Sequence, residues 1–208
     1  MKPILFSFLM LGAIVSSAQS DKYVEAMKKN LALFDSAKTG ADFQALANTF
    51  ERIGDAEKTQ WLPYYYAGLA LTTVGWNDPN VDKDANSTRV NALCDKAAAL
   101  DNNSEIYALR NMSATQQMMV DPQTRWQTYG MQAAKDIDEG LKMDPDNPRL
   151  YYLRGESIFN TPPAFGGGKD KAKPIFEKAL ALFKTEKPKA MYPSWGMQRT
   201  EEQLAKCQ

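Results

Sequence analysis

Histidine is absent from all 208 residues, and that gap excludes more chemistry than any motif supplies. Without imidazole there is no Ser-His or Cys-His nucleophile pair and no His-ligated metal. Cysteine is scarce as well, with Cys94 and Cys207 alone. Two such residues can form one bridge in an oxidising compartment, but they make no disulfide framework. Cys94 falls on an apolar helix face, where a buried free thiol is the alternative. An excess of charge is lacking too, since 25 basic residues face 25 acidic ones. That balance argues against a nucleic-acid surface or a broad anionic-membrane surface. No G-x-S-x-G elbow is present. The chain therefore does not read as an enzyme, and no catalytic residue, metal or cofactor is expected.

Long apolar runs are confined to the start. Lys2 precedes an uncharged stretch from Ile4 to Val15, and the small residues Ser16 and Ala18 follow. As a helix this stretch would span only about 18 Å, whereas a bilayer core needs roughly 20 residues. The expectation is a cleavable export signal over residues 1–18, a periplasmic or secreted destination, and no membrane span once it is removed. The remainder, residues 21–208, suits one domain with a proper core.

What is present is helical periodicity. Val24, Met27, Leu31 and Phe34 open a series of apolar stripes at 3.6-residue spacing, broken by polar turns rich in Asn, Asp, Gly and Pro. Asp121-Pro122 and Asn147-Pro148 each place a capping residue before a proline suited to a first helical turn. β-branched residues are sparse, so no strand is expected. The spacing predicts an all-α chain of about eight or nine helices. They fall into pairs over 21–58, 61–101, 103–145 and 147–184, with a short capping helix over 195–207.

The pairs echo one another. Tyr64, Tyr107 and Tyr151 recur at intervals of 43 and 44 residues, and Ala97, Gly140 and Ala179 hold matching places on the intervening helices. Small residues let paired helices approach closely, and one pair cannot bury its apolar face alone, so pairs must stack. The segment NPRLYYLRGESIFN…GKDKAKPIFEKALALF resembles a tetratricopeptide repeat, with Tyr151, Gly155, Ala172, Phe176 and Ala179 at that family's large, small and aromatic positions. Residues 126–146 look like the second helix of a preceding repeat, through Ala133, Ile137, Gly140 and Pro145. The likeness departs in period, because each pair carries a longer internal loop than the roughly 34-residue standard unit allows. The loop Pro162-Pro163-Ala164-Phe165-Gly166-Gly167-Gly168 and the helix after it also look like exported helical proteins related to the T component of tripartite periplasmic transporters.

Three local patterns invite chemistry. Gly166-Gly167-Gly168-Lys169 suggests a phosphate loop, but Asp170 stands where Ser or Thr is required, and a glycine turn folding onto Phe165 is the preferred reading. Asp78, Asn80, Asp82 and Asp84 alternate like a calcium loop, yet Lys83 and Arg89 occupy its Gly and Glu positions. Asp136, Asp138 and Glu139 are expected on a solvated helix face. The polar terminal helix should bury Trp195 and Leu204.

The tetratricopeptide resemblance implies a scaffold with a concave wall, formed by the helices that begin near Trp61, Ser104 and Asn147. It places Tyr65, Leu69, Met112, Gln116, Tyr152 and Glu156 on that wall, where a peptide or protein partner would lie; packing of the aromatic and Met side chains under the long loops is the competing reading. The alternative is a small solute held between helix pairs and the glycine-rich loop.

Overall fold

A computed structural model describes residues 21–208, so the expected export signal lies outside the described residues. Ten α-helical segments follow one another: α1 (Asp21–Ser36), α2 (Gly40–Glu57), α3 (Leu62–Asn77), α4 (Lys83–Leu100), α5 (Ser104–Met118), α6 (Pro122–Arg125), α7 (Met131–Met143), α8 (Pro148–Asn160), α9 (Lys169–Thr185) and α10 (Met197–Lys206). A π-helical turn, Trp126–Gly130, joins α6 to α7, so these three pieces run on as one rod. Nine rods and no strand make up the described residues. Helix starts follow the polar residues read from the sequence. Thr39 closes a reciprocal capping box with Asp42, and Asp82, Asn103, Asp121 and Asn147 each accept a backbone N–H from the first turn that follows.

Antiparallel pairs stack into a short α-solenoid. α3 packs on α2, α4 and α5, while α5 in turn touches α7 and α8. Small residues set the spacing as the sequence pattern required. A Cβ on Gly68 would lie 2.6 Å from a Leu109 methyl, one on Gly140 2.7 Å from Leu150, and one on Gly155 2.5 Å from the Phe176 ring. The central helix α3 is buried on every side from Leu62 to Thr72. A helix apolar all round belongs in an interior, and α3 has neighbours on all sides, including the segment that follows α9.

That segment, residues 186–196, forms a strap across the wall of α3, α5 and α8. Arg149 of α8 binds Glu186 at its start. The Tyr66 hydroxyl donates to the Met191 carbonyl at 3.0 Å, and the Trp195 indole N–H donates to the Tyr65 hydroxyl at 2.8 Å. Tyr192 meets Trp61 edge to face at 5.5 Å. Met191 adopts φ +65° and Gly196 φ +114°, conformations that turn the strap back toward α9. A Cβ on Gly196 would meet the Phe183 ring at 2.6 Å, so only glycine lets the strap come this close before α10 begins.

Cys94 and Cys207 are both buried free thiols. They belong to different apolar clusters, one centred on α3 and the other between α8, α9 and the C-terminus. Burial pushes the Cys94 thiol up to about 12, which leaves it protonated and inert.

Candidate functional site

The six residues expected on a concave wall are covered or packed inside the array. Tyr65 is fully buried, with its hydroxyl between the Trp195 indole and Glu105. Leu69 and Met112 lie in the main core. Gln116 is fully buried and donates to the Thr72 carbonyl at 2.6 Å, tying α5 to α3. Tyr152 packs against Phe176 and Trp195, and Glu156 is caught between α8 and Gln203 of α10. The structure thus brings Tyr65 and Tyr152 together through Trp195, but it leaves none of the six on an open groove. The physical reason is packing within the chain: Trp195 of the strap covers Tyr65 and Tyr152, Leu69 and Met112 lie in the main core, Gln116 is tied to Thr72 and Asn86, and Glu156 meets α10.

Beneath the strap lies a buried charged cluster. Arg149 and Glu105 are 4% and 7% exposed, and the Arg149 Nε donates to both Glu105 oxygens at 2.8 Å. Asn147 donates to the same carboxylate at 2.7 Å. Burial pushes the Glu105 carboxyl above its usual range, against the pull of Arg149. Every polar atom here has a protein partner, so the cluster reads as internal structure.

Asp136 corrects the sequence reading. It was expected on a solvated face, yet it is 5% exposed on α7 and accepts a hydrogen bond from Gln132 at 2.9 Å. The stripe marked by Ala133, Ile137 and Gly140 is wide enough to take in its neighbour. Burial raises its carboxyl to about 6, with Gln132, Arg110 and Lys135 pulling the other way. The unfolded chain therefore releases this proton near pH 4, while the folded chain keeps it until about pH 6. Stability should fall across that window and stay lower above it. Asp136→Asn is expected to regain about 2 kcal/mol at pH 8 and little at pH 4. Urea unfolding of both proteins at the two pH values is the check.

The other acids are engaged. Asp138 pairs with Arg154 and Glu139 with Lys142. In the calcium-like loop, Asp82 caps α4, Asp78 accepts the Asn80 N–H, and Asp84 takes Arg125 on both oxygens at 2.7 and 2.9 Å. No group of metal-ligating side chains occurs among the described residues. The glycine loop folds onto the end of α8, where the Gly168 N–H donates to the Ile158 carbonyl. Phe165 stands 81% exposed rather than covered by its turn.

Two polar clefts are among those on the surface of the described residues. One of about 410 Å³ lies between α2 and α4, lined by Asn48, Glu51, Arg52, Asp55 and Arg89. The other, about 310 Å³, is bordered by Asp144, Asp146, Leu182 and Glu186. Both are polar, and the first is crossed by Arg89–Glu51 and Lys96–Asp55 ion pairs. Four of the exposed large apolar side chains fall close together in sequence elsewhere. Met119, Val120, Trp126 and Met131 are each 46–63% exposed and follow one another through the turn between α5 and α7. Sequence reading missed this corner, whose only signal was large apolar residues in a polar stretch.

Stacked antiparallel helix pairs closed by an extended strap define the class, an all-helical stacked-pair fold. The HusA haemophore from Porphyromonas gingivalis has the same fold, with a TM-score of 0.82. The two sequences are 35% identical, over 91% of this chain and 94% of that one. The chain belongs to the HusA haemophore family. No protein-family model and no curated protein matches it. This kinship overturns the peptide-scaffold expectation, since the relative is a haemophore, a carrier of a small ligand. No helix among the described residues is long and apolar enough to cross a membrane.

Proposed function

We propose that the protein is an exported, non-catalytic carrier of a flat apolar ligand of the tetrapyrrole class, haem being the representative. The observation that carries this reading is the 35% identity to a haemophore along nearly the whole of both chains. The leader-like start supports export. Absence of histidine means that the ligand's iron would find no imidazole here, so affinity has to come chiefly from apolar contact with the macrocycle. Haemin titrated into the purified protein should give a saturable change in its visible absorbance, with a Kd of about 1 µM or tighter. A linear, non-saturating response like that of buffer would refute the reading.

A further inference from the structure

We infer that the ligand is received at the corner where α5 hands over to α7, on a seat made by Met119, Val120, Trp126 and Met131. This inference rests on the tetrapyrrole reading above and adds the place. The backbone puts the aromatic and the thioether on one face, because the Met131 N–H bonds to the Trp126 carbonyl in the wide π-helical turn. Gly130 lies between them: a Cβ there would meet the Met118 sulfur at 3.0 Å and the Trp126 Cβ at 3.8 Å. The turn is thereby pressed onto the end of α5, and Trp126 and Met131 are left facing outward, 53% and 63% exposed. Arg125 braces the corner from the side, held by Asp84 and donating to the Gln117 carbonyl at 3.2 Å.

Three features fit a tetrapyrrole. Neighbouring helix axes stand about 8–10 Å apart, comparable to the breadth of the macrocycle, so the ends of α5 and α7 can support one ring together. Indole and thioether groups are flat or adaptable and polarisable, which suits contact with an extended π face. Lys135 lies one helical turn beyond Met131 and is exposed, so its ammonium stands beside the apolar seat, where the ring's carboxylate arms would end. The two polar clefts offer none of this.

Haemin is the probe, read by absorbance and by quenching of tryptophan fluorescence. The double variant Trp126→Ala/Met131→Ser should bind at least about tenfold more weakly. Its helical circular dichroism should match that of the parent, because both side chains are largely outside the core. Met131→Lys alone, at the most exposed methionine among the described residues, is the second variant and should weaken binding several-fold with little change to packing. Arg89→Ala, in the larger cleft, should leave affinity unchanged. If the parent saturates and both edge variants bind equally well, the seat is wrong while the tetrapyrrole reading stands. If the parent itself fails to saturate, the carrier reading falls and the seat falls with it.

Discussion

Arg149→Met is expected to lower folding stability by about 3–5 kcal/mol, the usual consequence of removing one partner of a buried ion pair. The substitution leaves Glu105 inside the array with only Asn147 and the distant Tyr65 hydroxyl as donors. A buried carboxylate without its cation must either stay desolvated or take up a proton. Arg149 also anchors the strap at Glu186, so the same change loosens the cover on the wall. Urea denaturation at neutral pH reads the loss. Adding Glu105→Gln should recover a large part of it, because the isolated charge is then gone. Equal stability of Arg149→Met and the parent would show that the cluster is already open to water.

Trp195→Ala is expected to cost about 3 kcal/mol and to raise the binding of a hydrophobic dye such as anilinonaphthalene sulfonate. The indole is only partly buried, which places the loss near the lower end of the range for large aromatic truncations. It also donates to Tyr65 and stands 6.3 Å from Tyr152 edge to face, so its removal strips a buried hydroxyl of its donor and uncovers aromatic surface at once. Thermal melts with and without the dye check both effects. A variant that melts like the parent and binds no dye would mean that the strap is held without Trp195.

Legibility in the sequence followed distance along the chain. Helix starts were plain because capping is local: Asp121-Pro122 and Asn147-Pro148 announce α6 and α8 within two residues. Stacking was plain because small residues recur at matching places, as Ala97, Gly140 and Ala179 do. The strap was not, since its contacts join residues 125 and 130 positions apart and an extended segment has no period to detect. Trp195 read as the buried side of a last helix over 195–207, whereas it lies in the strap ahead of α10, which begins at Met197. Asp136 was misplaced because a stripe of small residues understates the width of the face it marks. The π turn at Trp126 was hidden inside a helical pattern that one extra residue per turn barely disturbs. Without the strap in view, the wall looked open, and the six positions assigned to it were taken for a surface.

The strap also fixes the order in which this protein can finish folding. Chain leaving the ribosome N-terminus first delivers α3 about 120 residues before Trp195 and Tyr192, yet the aromatic flank of α3 is sheathed only when they arrive. Until then Trp61 and Tyr65 lack the strap's share of their cover, although Phe34 and Phe50 already pack on Tyr66, and late-closing, long-range contacts of this kind slow folding. Helix α3 can thus dock on its sequence neighbours α2 and α4 early, while the last part of its aromatic flank stays open until synthesis is nearly complete.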